Sequence, residues 1–408
     1  MRGNEWLRDA IIYHIMVDRF STGNSSKDSR LAGRTSKKWM GGNLGGIVKN
    51  LDYLKDLGIN TIYISPIYLT RFYHGYHILN FYEIDPHFGN KKELRRMVHA
   101  CHEKGFRVIL DIAPNHLSCK HPFFLDAQRN QKSRFRDWFV FSKWPDKYMC
   151  FMSVNDLPKI NLRNPEAKEY VISAAEYWIK EFDIDGYRID HAIGLPLGFM
   201  KEFKRRMVRA KKSFVLIGEV TFKGARLEHL DTFWILEALS VANRKRFENS
   251  IRKRDVVGAN EMVMDITRKL GVLDGCLDFV FMDLAWEHAN NKLSFKDFKL
   301  KVDNHLSKFG SQFYLPLAVS NHDRGRLLFA LRNESSFKKV LEYQFSLEQP
   351  QIIYYGDEID LPQKKRIQFN VQNYSDIEAR RFMVWNRSKK QEEMFQFFRS
   401  LCLRRESV

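Results

Sequence analysis

Three acidic residues stand at the ends of short apolar runs and in a fixed order along the chain. Asp190 closes Asp185-Gly-Tyr-Arg-Ile-Asp190, Glu219 closes Phe214-Val-Leu-Ile-Gly-Glu219, and Asp323 closes Ser320-Asn-His-Asp323. Each run reads as a buried strand, and acids at the C-terminal ends of successive barrel strands converge on one pocket. There one carboxylate can attack as nucleophile, one can protonate a leaving oxygen and one can hold the substrate, which is what cleaving a glycosidic bond with retention requires. Taken singly, an acid at a strand end is more often a helix cap or an ion-pair member; only the joint pattern favours chemistry. Arg188 lies two residues before Asp190, on the same strand face, and its fixed charge is expected to keep Asp190 ionised. Glu219 needs a raised pKa, from burial or from neighbouring carboxylates, to act as an acid.

These residues need a frame. Strand-like runs occur at 11–17, 61–65, 107–113, 184–189, 214–218, 277–281, 313–319 and 351–355, separated by amphipathic stretches such as Ile47–Leu57, Lys91–Lys104, Pro165–Phe182 and Phe199–Ala210. This alternation predicts an α/β fold, a closed parallel (β/α)8 barrel, rather than an open sheet. The barrel takes residues 1–115 and 166–408. Between them, residues 116–165 are rich in aromatic and polar side chains, and a structureless loop of that length is unusual in a compact domain. They predict a small inserted domain after the third strand, with Trp138, Phe139 and Trp144 in its core rather than serving as sugar platforms. A second enlarged connection, about 221–273, reads as mostly helical.

Composition bounds the rest. The 408 residues are 44% hydrophobic and 28% charged, as expected of a soluble globular protein. No apolar run is long enough to span a bilayer, and the first residues lack the apolar core of a secretory signal, so a cytoplasmic location is expected. Five cysteines at 101, 119, 150, 276 and 402 have no metal-ligand spacing and read as reduced. Lys plus Arg is 67 against 49 for Asp plus Glu, a net charge of +18. The densest basic cluster, Arg244 to Arg254, reads as a solvated helix face rather than a nucleic-acid patch, because no zinc-finger or RNP-type motif accompanies it.

The segments together resemble the α-amylase family of glycoside hydrolases from about Asp9 to Glu358. Asp111-Ile-Ala-Pro-Asn-His116, Asp185-Gly-Tyr-Arg-Ile-Asp190, Leu216-Ile-Gly-Glu219 and Ser320-Asn-His-Asp323 are similar to the family's four motifs in order. Gly41-Gly-Asn-Leu-Gly-Gly46, His74-Gly-Tyr-His77, Ile84-Asp-Pro-His-Phe-Gly89 and Ile353-Tyr-Tyr-Gly-Asp-Glu358 match supporting segments. So many short matches in one order make the signal specific where one would be weak. The resemblance implies Asp190 as nucleophile, Glu219 as acid/base and Asp323 as the carboxylate that holds sugar hydroxyls and favours a distorted ring. It implies substrate-binding roles for His116 and His322 as hydrogen-bond donors, Tyr76 as a stacking ring, and Arg188.

Leu157-Pro-Lys-Ile-Asn161 resembles a signature of the neopullulanase, cyclomaltodextrinase and maltogenic amylase branch, which acts on α-1,4 and often α-1,6 links. Departures from that branch are expected to matter. The first strand near residue 11 leaves no N-terminal β-domain for the branch's dimer, so no oligomeric state is set, and no C-terminal β-sandwich is apparent after a last helix near 389–404. Val220 and Thr221 stand where the branch has a Trp-His pair that binds acceptor sugars, His77 where Asp is frequent, and Arg324 where Thr is common. Gly194 replaces a histidine whose backbone binds calcium in many α-amylases. A second calcium loop would map to Asn24, Asp28 and Asn43, which offer few carboxylates. No cofactor or metal is therefore expected to be required, calcium being the one weakly supported candidate. The expected activity is retaining hydrolysis of α-1,4, and in some relatives α-1,6, glucosidic bonds in maltooligosaccharides, cyclodextrins or starch-like glucans. Two alternatives stay open: a 4-α-glucanotransferase using the same residues, and a non-catalytic glycan-binding or scaffold protein, against which the persistence of all three acids argues.

Overall fold

The computed structural model describes residues 4–310, 312–367 and 375–406. Seven strands form one parallel sheet: Ile11–Ile15, Thr61–Ile64, Arg107–Ile112, Gly186–Ile189, Val215–Gly218, Gly275–Cys276 and Gln351–Tyr354. Sequence neighbours are sheet neighbours throughout, and the first strand also pairs with the last, at Ile11–Gln351. The remaining gap is filled by residues 314–317. Tyr314 bridges Gly275 on one side and Leu317 bridges Gln351 on the other, both in the parallel sense. Pro316 has no N–H to give to a ladder, which limits this stave to isolated bridges. Its carbonyl still accepts from Asp278 N at 3.0 Å, and Leu317 N donates to Pro350 O at 2.8 Å. The sheet thus closes into the eight-staved barrel that the alternating pattern predicts.

The strands are buried along almost their whole length, as expected of parallel strands covered by helices on one side and closed on themselves on the other. Side chains alternate between two cores. Ile11, Tyr13 and Ile15 join the layer between strands and helices, whereas Ile12, Tyr63, Ile109, Val215, Ile217 and Ile352 pack together inside the barrel. Two residues further along each strand, the inner face changes character: His14 follows Ile12, Asp111 follows Ile109 and Glu219 follows Ile217. The inside is therefore apolar in its middle and polar at its C-terminal mouth.

Two sequence expectations need correction. The sixth strand does not occupy 277–281; it is Gly275–Cys276, and a helix runs over Phe279–Ala289. The Asp278 side chain accepts from Phe281 N at 2.9 Å and caps that helix. Phe279, Val280, Phe281 and Met282 are all buried, and a run of apolar residues has no period that separates a buried strand from a buried helix. The stretch Ile47–Leu57 is two helices, Leu44–Lys49 and Leu51–Asp56, broken at Asn50.

Residues 116–165 hold the helix Pro122–Arg129 and two short hairpins, Phe141–Lys143 with Lys147–Tyr148 and Cys150–Phe151 with Val154–Pro158. Trp138 and Phe139 are buried, and Trp144 donates its indole N–H to Ala127 O at 3.0 Å. These rings are packing groups. The 221–273 connection is helical, with Val241–Lys253 and Val256–Leu270. The first of these buries Phe247 and Ile251 and leaves its basic residues on the outer face. Cys101, Cys119, Cys150 and Cys276 are free thiols. Among the described residues, no helix is long and apolar enough to cross a membrane.

Candidate active site

The polar mouth is organised by one guanidinium. Arg188 is 2% exposed, and its register pairs it with Asp111 on the neighbouring strand. Its Nη1 donates to both Asp111 oxygens at 2.9 Å and to Asp190 Oδ1 at 2.9 Å. Its Nη2 lies 2.9 Å from Glu219 Oε1. A single planar fork thus spans three carboxyl groups from three adjacent strands. Asp111 also accepts from the hydroxyls of Tyr63 at 2.7 Å and Tyr76 at 2.9 Å. Glu219 Oε2 accepts from the backbone N–H of His191 at 2.9 Å. His191 carries φ +45°, a left-handed conformation uncommon for a non-glycine residue, and this turn aims its amide at Glu219.

Three carboxyl groups around one fixed cation cannot all be ionised at low cost. Burial pushes Asp190 well above the ordinary aspartate range; Arg188 opposes this, and Glu219 and Asp111 add to it. Burial also raises Glu219, with Arg188 opposing and Asp323 adding. Asp111 has the most donors of the three. Burial raises Asp111 too, with Arg188 and the hydroxyls of Tyr63 and Tyr76 opposing, so all three carboxyl groups are pushed toward their protonated forms. The contact by which Arg188 was expected to keep Asp190 ionised is present, and it acts in that direction, with burial as the larger, opposing effect.

Asp323 stands at the rim with its side chain 35% exposed. Arg380 Nη2 donates to its Oδ1 at 2.8 Å, and His322 Nε2 lies 3.2 Å from its Oδ2. His322 also meets the Tyr76 hydroxyl at 3.2 Å, with the two rings nearly parallel at 5.6 Å. Burial, then Arg380 and Arg188, hold His322 well below its usual pKa, so it is a neutral imidazole. The structure thereby joins Asp190, Glu219, Asp323, Arg188, Tyr76 and His322 in one hydrogen-bonded cluster. His116 is set apart. It is 2% exposed, held at about 3 by burial, His77 and Lys159, with its Nδ1 3.3 Å from Asn115 Nδ2 and its Nε2 without a partner among the described residues.

Sequence reasoning missed four members of this site. Asp111 was visible in its motif, but nothing marked it as the second partner of Arg188. Tyr63 and His14, whose rings stack at 4.1 Å, looked like ordinary strand residues. Arg380 arrives from the far end of the chain and carries no local signal.

The candidate calcium positions are filled by other interactions. The Lys159 amine, 1% exposed, donates to Asn115 Oδ1 and to the Gly194 carbonyl. It also sits 4.1 Å from the Trp234 ring centre. Burial pushes this amine well below its usual pKa, and its contact engages the Gly194 carbonyl. A Cβ at Gly194 would come within 2.2 Å of Asn115 Oδ1, so glycine is the residue that leaves room for this contact. In the second loop, Asp28 accepts from Ser21 Oγ at 2.6 Å and Thr22 Oγ1 at 2.6 Å. Asn24 and Asn43 cap helices, and Lys49 Nζ donates to Gly23 O at 3.3 Å. No group of three or more His, Cys, Asp and Glu side chains among the described residues is arranged to hold a metal. At the first position a buried amine already binds the Gly194 carbonyl, and the second offers one carboxylate, Asp28, where calcium favours several.

A closed parallel barrel with clustered acids at its C-terminal mouth is the architecture of a barrel enzyme. The family model described as "Alpha amylase, catalytic domain" matches residues 14–401, and the chain belongs to the α-amylase family. It is 33% identical over 403 residues to Alpha-amylase 2 of Dictyoglomus thermophilum, covering 98% of this chain and 64% of the relative. It is 30% identical over 412 residues to the intracellular maltogenic amylase of Bacillus subtilis, covering 97% and 61%. A cyclomaltodextrinase structure superposes with a TM-score of 0.80 at 26% identity, covering 99% of this chain and 64% of that one. An acarbose complex of the α-amylase from Geobacillus thermoleovorans gives 0.73 at 27% identity, covering 98% and 79%. The chain spans a little under two thirds of the length of these two curated relatives.

Proposed function

We propose that the protein is a retaining glycoside hydrolase that cleaves α-1,4-glucosidic bonds in maltooligosaccharides or cyclodextrins. The observation that carries this reading is the Arg188 fork, which holds Asp190 and Glu219 side by side while burial raises both. In the reactive form Glu219 bears a proton and Asp190 is the carboxylate. Asp190 attacks the anomeric carbon as Glu219 protonates the leaving oxygen, giving a covalent glycosyl-enzyme. Glu219, now ionised, takes a proton from water, which displaces Asp190. Arg188 lowers the cost of negative charge on Asp190 between the two steps. Asp323, backed by Arg380 and His322, accepts sugar hydroxyls at the rim, and the free Nε2 of His116 donates to the same ring. Tyr76, tethered through its hydroxyl to Asp111, offers its ring face. No metal takes part, and the protein works in the cytoplasm, a location in keeping with the intracellular maltogenic amylase of Bacillus subtilis to which it is similar.

Incubation with maltoheptaose tests this. Only shorter maltooligosaccharides are expected. Longer products beside shorter ones would mean glycosyl transfer to sugar, and saturable binding without products would mean a silent glycan-binding protein.

A further inference from the structure

Asp323 forms one wall of a cavity of about 570 Å3. The other charged walls are four cations, Lys223, Lys292, Arg324 and Arg366, and two carboxylates, Asp283 and Glu287. Four cations thus face three carboxylates, one of which is engaged by a cation outside this set. Asp323 is already paired with Arg380, and Asp283 is shared between Arg324 and Lys223, the latter at 3.7 Å. Arg324 is only 9% exposed, and its Nε and Nη1 are buried without a partner among the described residues. Leaving such donors unpaired costs free energy unless an acceptor reaches them. Lys223 is pushed down to about 8 by burial and by Arg324, with Asp283 opposing and Arg366 adding. Hydroxyl groups of a neutral sugar can satisfy the Arg324 donors, but they cannot relieve the crowding of positive charge. An oxyanion with two or three acceptor oxygens does both, and a guanidinium beside an amine suits it.

The cavity also has a side. Lys223 follows Glu219 by four residues in the same loop, and Glu219 is the group read above as protonating the leaving oxygen. Arg324 follows Asp323 directly. Both lie at or next to places where the chain departs from the pattern of its branch.

We propose that this cavity is a subsite for an anionic group, a phosphate ester or a carboxylate, carried by the sugar on the leaving-group side of the scissile bond. This rests on the glycoside hydrolase reading and adds a substrate class to it.

The test compares kcat/KM for maltotriose, for maltotriose phosphorylated at O6 of its reducing-end glucose, and for its aldonate, at constant ionic strength. At least one anionic substrate is expected to exceed maltotriose by about tenfold or more, the gain of a charge-assisted hydrogen bond. The better of the two identifies phosphate or carboxylate as the natural group. In Lys223→Gln and in Arg366→Gln, a surface change that leaves the core untouched, the ratio is expected to fall toward one. Maltotriose cleaved as fast as both anionic sugars would overturn the subsite and leave the hydrolase reading standing. An anionic preference unchanged in both variants would overturn it as well. Turnover of none of the three, with maltoheptaose uncleaved as well, would overturn the hydrolase reading and this inference with it; maltoheptaose cleaved beside three inert trisaccharides would overturn this inference alone.

Discussion

At the scale of single residues, the site is an exercise in sharing charge. One guanidinium serves Asp111, Asp190 and Glu219, while burial and the neighbouring carboxylates raise both Asp190 and Glu219. Replacing Glu219 with Gln removes the proton donor. The rate on maltooligosaccharides is then expected to fall about 10²- to 10⁴-fold, and the loss should be much smaller on aryl maltosides whose leaving group needs little protonation. Asp190→Asn is expected to abolish turnover while circular dichroism and sugar binding remain, because the amide keeps the shape but cannot attack. The pH profile follows from the same charges. Glu219 must be protonated, so activity is lost as pH rises through its raised pKa. Asp323 is one of the groups that raise it, so Asp323→Asn should shift the alkaline limb of kcat/KM toward lower pH; an unmoved limb would remove Glu219 from the acid role. The three acids and Arg188 were legible in the sequence because each sits in a short motif and the motifs follow in a fixed order. Arg380 was not legible, since it reaches Asp323 across 57 positions of chain through tertiary packing alone.

At the scale of elements, two buried side chains join segments that are distant in sequence. Lys159, beyond the second hairpin of the 116–165 region, reaches the turn after the third strand at Asn115 and the turn after the fourth at Gly194. Lys159→Met would leave two buried acceptors unpaired and is expected to lower unfolding free energy by about 1–3 kcal/mol in denaturant titrations. Chelation by EDTA or addition of calcium should leave the parent's activity and stability unchanged; loss of activity on chelation would contradict the reading of Lys159. His305, on the helix Phe295–Leu306, meets Asp278 at 3.2 Å and Glu261 at 2.8 Å. Burial alone would lower its pKa, but the two carboxylates raise it from 6.5 to about 9. A base with a raised folded pKa stabilises the fold below its unfolded pKa and loses that contribution as pH rises through the folded one. Stability is thus expected to drop by about 3 kcal/mol between pH 6.5 and 9, and His305→Gln should flatten the dependence. Asp278 also explains why the sixth strand was misplaced in sequence. As a helix cap it turned the apolar run beginning at Phe279 into a helix, and a run buried on all sides gives no periodicity to warn of that.

At the scale of the whole molecule, the barrel was legible because alternating strand and helix patterns leave few topologies. Its closing stave was the hardest part to see, since Pro316 reduces residues 314–317 to isolated bridges between the sixth and last strands. The cavity beside Asp323 is the one local use proposed above for part of the net charge of +18; nothing among the described residues explains the basic outer face of the helix Val241–Lys253. Closure is what brings acids from strands far apart in sequence to one mouth, and the claim that they act by double displacement is open to direct observation. Proton NMR during the first minutes of maltoheptaose hydrolysis follows the anomeric signals of newly formed reducing ends before mutarotation. The α-anomer is expected to appear first and the β-anomer only later, as mutarotation proceeds. Initial release of the β-anomer would mean a single displacement by water and would contradict the role of Asp190 as nucleophile.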